Sequence, residues 1–185
     1  RFATDYIKIA NGFLSTKINK ISPTSWVITN NEALRTVRFD DYEGYVDIGR
    51  SKGVLGSAIF QGSTYVHLTN GKRSEIHITK TPPPFPYIMR SNGEIKDWQT
   101  KPSETKFKLN IMGRIHFDIG SVKPNSGYTI NINGKDFKTK SNSKGELSFK
   151  YDVISNIIRW PKPNLIDRKS FIPRNEFTWV DVKIQ

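Results

Sequence analysis

Apolar and polar residues alternate along most of this chain. The alternation is clearest in eight short runs: Tyr6–Ile9, Thr64–Leu68, Glu75–Thr79, Lys106–Ile111, Arg114–Ile119, Tyr128–Asn133, Glu146–Tyr151 and Phe177–Ile184. A period of two places successive side chains on opposite faces of a strand, and the β-branched and aromatic residues of these runs favour strands. The pattern predicts an all-β fold whose strands have one face in a core and one in water.

Turn residues separate the runs. Asn70-Gly71 and Asn133-Gly134 each stand between two alternating runs, and this dipeptide favours a two-residue hairpin. Ser143-Lys144-Gly145 predicts a third turn. A helix of one or two turns is one interpretation of Asn30–Phe39, with Asn31 as its cap. The interpretation we favour for that segment is a turn at its start followed by a strand.

Proline residues divide the chain. The run Thr81–Pro86 contains four prolines, which cannot donate to a sheet and which favour an extended conformation. We therefore predict a β-rich N-terminal domain over residues 1–84, a proline-bounded linker over 85–104 and a β-sandwich over 105–185. A second proline-containing stretch, Arg159–Pro173, would cross the surface before the last strand.

The segment Gly113–Tyr151 resembles the immunoglobulin-like or fibronectin type III-like modules of bacterial and phage surface proteins. The resemblance lies in a strand, a Pro-Asn loop at Pro124-Asn125, a Tyr-x-Ile strand leading into Asn133-Gly134, and the Gly-x-Leu-x-Phe pattern of Gly145–Phe149. It implies an antiparallel, immunoglobulin-like β-sandwich for the C-terminal half. Such a fold carries no chemistry of its own.

The first half carries a second resemblance. The strand and turn around Thr64–Gly71 are similar to segments that flank the β-rich portions of phage tail spikes and carbohydrate-active surface proteins. The two resemblances together imply a structural component of a virion, such as a tail, fibre or capsid decoration, or of a cell-surface appendage. The implied location is the virion or the extracellular surface.

Charge and composition narrow the class of partner. The net charge is +12, with 14 basic against 10 acidic residues in 1–104 and 15 against 7 in 105–185. Acidic polysaccharide or nucleic acid would suit this excess, although solubility alone also explains it. The chain has no cysteine, so no disulfide or thiolate site can form. No apolar run reaches the length of a membrane span.

Residues that could carry catalysis or bind a metal are few. The histidines His67, His77 and His116 each occupy the polar position of an alternating run, which predicts that they face solvent. In the predicted hairpin at Asn70-Gly71, His67 pairs with Ser74 and lies away from His77. The acidic cluster Asp40–Asp47 lacks the spacing of a calcium-binding loop and is most simply a solvated turn. We predict no catalytic residue, no metal site and no cofactor.

The glycines of residues 49–62 match neither a phosphate-binding loop nor a dinucleotide-binding fingerprint. Bends in strands and loops explain them better. They are Gly49, Gly53, Gly56 and Gly62.

Aromatic and basic residues supply the remaining functional pattern. Aromatic side chains in basic surroundings stack on sugar rings or on nucleic-acid bases, whereas core packing is the competing explanation. Alternation places Trp179 on the outer face of the last strand, exposed or at an interface. The candidate binding surface comprises Trp26, Tyr42, Tyr45, Trp98, Trp160, Trp179, Arg35, Arg38, Lys72 and Arg73.

Four functions follow from these observations, and three that are not enzymatic rank above the fourth, an enzyme with carboxylates on the loops near Asp40–Asp47. The first is a structural module that assembles with copies of itself as a homo-oligomer or with other structural proteins. The second is a carbohydrate-binding module of a polysaccharide-active protein. The third is a nucleic-acid-binding β-barrel, for which binding would weaken steeply with salt.

Overall fold

The computed structural model describes residues 2–30, 35–101, 103–111, 114–152 and 178–185. These residues form one helix and fifteen strands, and the predicted all-β fold of antiparallel sheets is confirmed. The elements are α1 (Phe2–Ser15), β1 (Lys17–Ser22), β2 (Ser25–Thr29), β3 (Thr36–Phe39), β4 (Tyr45–Val46), β5 (Val54–Phe60), β6 (Ser63–Leu68), β7 (Arg73–Thr79), β8 (Tyr87–Ser91), β9 (Glu94–Lys101), β10 (Glu104–Ile111), β11 (Arg114–Gly120), β12 (Gly127–Ile132), β13 (Lys135–Lys140), β14 (Leu147–Asp152) and β15 (Thr178–Ile184).

The first half of the chain forms two antiparallel sheets, in the orders β1-β2-β7-β4 and β3-β6-β5. Their inner faces bury the first core, which consists of Trp26, Ile28, Val37, Val46, Val66, Leu68, Ile76 and Ile78. Alternation accounts for this arrangement, because the apolar positions of β6 and β7 are the buried ones. The two sheets thus face each other across this core.

The second half forms a five-stranded sheet, β13-β12-β15-β10-β9, and a three-stranded sheet, β14-β11-β8. Between them lies the second core, in which Phe117 is fully buried and its ring centroid lies 5.4 Å from Phe107 and 5.5 Å from Phe149. The segment predicted as a linker, 85–104, contains β8 and β9, which pair with β11 and β10. Only residues 80–86 of the proline region have no strand.

Strand β5 joins the two halves. Leu55 of β5 packs into the second core, while its neighbour Val54 packs against the first. Gly56 has a φ of 152°, and a Cβ atom there would lie 2.2 Å from the carbonyl oxygen of Ile88 in β8. Glycine at this position therefore permits β5 and β8 to approach closely. This agrees with the prediction that Gly56 lies at a bend in a strand.

The predicted strand at Tyr6–Ile9 is wrong, because these residues belong to α1. Four alternating residues are too few to distinguish a strand from a helix. Over the longer segment, Ile7, Ala10 and Leu14 recur with the spacing of one helix face. For the segment Asn30–Phe39, residues 31–34 lie outside the described residues and the strand interpretation holds for β3.

Of the two predicted Asn-Gly hairpins, one is confirmed and one is wrong. Asn133 and Gly134 have φ values of 49° and 86°, and they join β12 to β13 as a two-residue turn. Asn70 and Gly71 do not adopt positive φ, and they connect β6 to β7 across the two sheets of the first half. The predicted pairing of His67 with Ser74 is therefore absent, and His67 pairs with Thr36 and with Gly56. The stretch Arg159–Pro173 lies outside the described residues.

Candidate functional site

The aromatic and basic residues predicted as a binding surface lie in separate places, and Trp160 falls outside the described residues. Trp26 is buried in the first core, with its ring 4.4 Å from Phe39 and 5.9 Å from Tyr42. Trp98 is half-buried against the second core, 5.2 Å from Phe107. Trp26 therefore offers no open face, whereas Trp98 packs against the second core and also lines a separate cleft with Val54 and Lys96.

Tyr45 lines a small cleft of about 250 Å³ between the two halves. Tyr87 lies in the same cleft, and burial raises the pKa of Tyr87 to about 12, with Tyr45 and Glu146 adding to the effect. A phenol with this pKa stays protonated at neutral pH. The pair forms part of the contact between the halves.

The basic residues of the prediction are dispersed as well. Arg38 forms an ion pair with Asp40 and lies 5.8 Å from the ring of Tyr65. Arg73 lies 3.3 Å from Glu75, and Lys72 is exposed on the turn before β7. Among the predicted residues that the structure describes, Arg35 lines the cleft described next, and Trp179 pairs with Asn110, another residue of its lining.

A cleft of about 630 Å³, here called the seam cleft, lies where β3 and β6 of the first half face β8, β9 and β10 of the second. Leu55, Leu68, Ile88 and Ile95 form its apolar walls. Its polar lining comprises Arg35, Thr36, His67, Ser91, Asn92, Glu94 and Asn110, and Ile9 of α1 lies at its mouth. A concave, largely apolar site with a few convergent polar groups is the usual form of a ligand pocket.

One ion pair lies in the seam cleft. Arg35 Nη2 is 3.7 Å from Glu94 Oε1, and Asn70 Nδ2 donates to the same oxygen at 3.1 Å. Lys96 Nζ lies 4.0 Å from Glu94 Oε1 and 4.3 Å from the ring centroid of Trp179. Trp179 is 38% exposed and pairs with Asn110, and it lies beyond the residues that line the cleft.

Asn110 is the feature of the cleft that most requires an explanation. Its Oδ1 is buried and has no hydrogen-bond partner. No other buried side-chain nitrogen or oxygen of the described residues lacks one. Leaving a buried acceptor unsatisfied costs about 1–3 kcal/mol. Asn110 pairs with Glu94 on one side and with Trp179 on the other, so the three side chains share one face of the sheet.

The prediction that His67 faces solvent is wrong. Its Nε2 lies 2.7 Å from the carbonyl oxygen of Met89 and its Nδ1 3.2 Å from Thr36 Oγ1. Because a carbonyl only accepts, Nε2 carries the proton and Nδ1 accepts from the threonine hydroxyl. Burial lowers the pKa of His67, so the ring is uncharged at neutral pH. Alternation could not indicate this, because the contact comes from Met89 of β8, which lies 22 positions further along the chain.

Lowering the pH is expected to destabilise the fold through His67. In the unfolded chain the His67 imidazole binds a proton near its ordinary pKa of 6.5. In the folded chain the same imidazole binds a proton only at a lower pH. The free energy of unfolding should therefore fall between about pH 7 and pH 5, by at most about 1.4 kcal/mol per pH unit for this proton. Denaturant unfolding of wild type and His67→Gln checks this.

His67→Gln should show the shallower pH dependence, and equal slopes in the two proteins would contradict the prediction. Part of the slope should remain in the variant. Burial, followed by the charge of Arg90, also lowers the pKa of His116, which acts with the same sign.

A second feature of the surface is a group of large apolar side chains on α1 and β1. Six of them are more than half exposed, although most other large apolar residues of the described chain are buried. We call Ile7, Ile9, Phe13, Leu14, Ile18 and Ile21 the α1–β1 apolar surface. The end of α1 is attached to β2 by hydrogen bonds from Asn30 Nδ2 to Ser15 O and from Thr16 Oγ1 to Asn30 O.

The described residues give little support for a metal site, for an acidic catalytic site or for a membrane-spanning helix. In the acidic cluster, Asp40 accepts from Ser63 Oγ at 3.3 Å and Asp47 Oδ1 accepts from the backbone of Arg50 at 3.2 Å. No group of three His, Asp or Glu side chains in the described ranges is arranged to hold a metal ion. Within the same ranges, no helix has the length and apolar character needed to cross a membrane.

Comparisons of the chain with protein-family models, with curated proteins and with solved structures give no match. The seam cleft and the α1–β1 apolar surface are therefore the two features of the molecule that bear on its function.

Proposed function

We propose that this chain is a non-enzymatic assembly module that associates with a second copy of itself through the α1–β1 apolar surface. The observation that carries the proposal is the exposure of its six apolar side chains, from 51% for Ile18 to 79% for Leu14. Apolar patches of this size on a soluble protein usually mark an interaction site. The resemblance of the C-terminal half to surface-appendage modules supports the same role.

The area of the surface suits a dimer. Along α1, Ile7 and Leu14 lie on one side of the helix and Ile9 and Phe13 on the other, so a second copy would have to pack around the helix. The six side chains together expose on the order of 500 Å² of apolar surface, comparable to the apolar part of the roughly 800 Å² that each partner contributes to a standard interface. A two-fold axis would place the same patch on both sides of the interface. A second copy is therefore a sufficient occupant.

The helix and the side chains of β1, rather than the backbone edge of β1, would make the contact. β1 is the outer strand of its sheet, but Lys17 and Lys20 flank Ile18 and the register shifts between Lys20 and Ser22. Lysines and bulges disfavour strand-to-strand pairing at an edge. Association would then bury apolar side chains face to face.

The charge of this segment determines how the affinity of the dimer should depend on salt. Residues 1–22 carry four basic residues and one acidic residue, so two copies of this segment repel each other. Salt screens such repulsion and does not weaken apolar burial. The dimer is expected to persist, or to become tighter, at high salt.

Light scattering over a range of protein and salt concentrations tests the proposal. Wild type should form a defined dimer, and Phe13→Ser with Leu14→Ser should shift the chain to monomer. Phe60→Ser is the matched control, because Phe60 is 59% exposed against 63% for Phe13 but lies on β5. The control should leave the dimer intact.

Three outcomes would overturn the proposal. They are a wild-type monomer at all concentrations, an oligomer that survives the changes in α1, and a monomer that binds anionic vesicles through Phe13 and Leu14. In the last case the helix would serve a lipid surface.

We also propose that the two halves of the chain are separate domains. Two separate clusters of buried apolar residues support a division into an N-terminal domain and a C-terminal sandwich. The facing sheets of β8–β15, with the hairpin at Asn133-Gly134, support an immunoglobulin-like class for the second. The resemblance of the chain to segments of phage and bacterial surface proteins supports a place in a virion or a cell-surface appendage.

A further inference from the structure

We propose that the seam cleft binds an uncharged sugar unit, with Asn110 as the central acceptor and Trp179 extending the site beyond the cleft. The seam cleft and the α1–β1 apolar surface share Ile9, at the mouth of the cleft, and the other residues that line the cleft lie outside that surface. The proposal rests on the shape, the charge and the hydrogen bonding of the cleft.

The buried oxygen of Asn110 can accept a hydrogen bond from a ligand. Asn110 Oδ1 is buried in the cleft without a hydrogen-bond partner, whereas the other polar groups of the lining are engaged. For example, Asn92 donates to Arg114 O at 2.6 Å and accepts from His116 N at 2.9 Å. A ligand hydroxyl would supply the hydrogen bond that Asn110 Oδ1 lacks.

The charges of the cleft favour an uncharged ligand. Inside the cleft Arg35 Nη2 lies 3.7 Å from Glu94 Oε1 and the two charges compensate each other. Lys96, 4.0 Å from the same oxygen, is exposed beside Trp179, where solvent screens its charge. His67 is uncharged at neutral pH because burial lowers its pKa, and both of its ring nitrogens are engaged, one with Met89 O and the other with Thr36 Oγ1. An ionic ligand would have to disrupt the pair or remain uncompensated in a partly buried site, which costs free energy.

The walls suit a ligand that has both hydroxyl groups and an apolar face. Leu55, Leu68, Ile88 and Ile95 provide an apolar wall opposite the polar groups, and about 630 Å³ accommodates a disaccharide-sized molecule. A pyranose ring presents C–H groups on its face and hydroxyls on its edge. Trp179 is paired with Asn110 across the sheet and extends the site beyond the cleft.

Titration calorimetry and saturation-transfer NMR test the proposal with defined probes. The probes are cellobiose, maltose and diacetylchitobiose, with a glucuronate-containing disaccharide as the charged comparison. At least one neutral disaccharide should bind wild type at millimolar concentration or below. The charged disaccharide should bind more weakly.

The variants identify the site. Asn110→Leu removes the acceptor and should weaken binding about tenfold, the effect of one hydrogen bond. Trp179→Ala should weaken binding severalfold. Gln99→Leu is the matched control, since Gln99 is an exposed amide on β9 outside the cleft, and it should bind as wild type does.

Unfolding of the free protein supplies a readout that separates ligand binding from a structural role. Because the acceptor of Asn110 is unpaired without ligand, Asn110→Leu should unfold at the same or a higher denaturant concentration than wild type. A clear loss of stability would show that Asn110 supports the fold and would overturn the inference. Failure of all three neutral sugars to bind, equal binding of the charged sugar, or equal losses in Gln99→Leu would also overturn it.

Discussion

Phe117→Ala is expected to reduce the free energy of unfolding by about 3–5 kcal/mol, the usual loss for a buried phenylalanine. The ring has no exposed surface and contacts Phe107 and Phe149 between the two sheets of the second half. Its removal would leave a cavity that β strands on both sides cannot close. Urea unfolding followed by tryptophan fluorescence measures the change.

Phe60→Ala is the control for this substitution. The Phe60 side chain is 59% exposed, so its removal should change the free energy of unfolding by about 0.5 kcal/mol or less. Comparable losses in the two variants would contradict the assignment of Phe117 to the centre of the core.

Gly56→Ala is expected to cost on the order of 3 kcal/mol, because it combines a strained backbone with a steric conflict. A φ of 152° is rarely adopted by L residues, and the new Cβ would lie 2.2 Å from Ile88 O. β5 would have to move away from β8, and Leu55 would be drawn from the second core. Amide hydrogen exchange should become faster along both strands.

Gly71→Ala serves as the matched control. Gly71 does not have positive φ, and nothing lies within 4 Å of a Cβ built there. We expect a change of about 0.5 kcal/mol or less. If Gly56→Ala were equally mild, the close approach of β5 and β8 would not contribute to the stability of the fold.

The strands were largely predictable because their pattern is local. The apolar positions of β6, β7, β10 and β11 are buried as alternation requires. Asn133-Gly134 is a hairpin for an equally local reason, the tolerance of both residues for positive φ. The turn Gln61-Gly62 between β5 and β6 also has positive φ at both residues, but glutamine gave no comparable indication.

Pairing partners were less predictable, because they depend on which sheet each strand joins. Asn70-Gly71 has the composition of a hairpin turn, yet β6 and β7 belong to opposite sheets. Burying the apolar faces of both strands against each other outweighs the preference of the dipeptide. The sequence does not distinguish α1 from a strand, because the alternation of Tyr6–Ile9 and the helical spacing of Ile7, Ala10 and Leu14 occur in the same segment.

The candidate sites depended still more on tertiary structure. Aromatic and basic composition identified Arg35 and Trp179, but it also selected Trp26, which lies in a core. Nothing in the sequence around Asn110 or Glu94 distinguishes them from other polar residues of a strand. Only the junction of the two halves places them beside Arg35 and His67.

By itself, the sequence determined the β class of this protein, most of its strands and the absence of cysteine chemistry, since each follows from neighbouring residues or from composition. The tertiary structure alone decided which strands pair, where the two cores meet and which polar groups lie in the seam cleft. The physical reason is that burial joins residues far apart in the chain, such as Arg35 with Glu94 and Asn110 with Trp179. No local pattern records those distances.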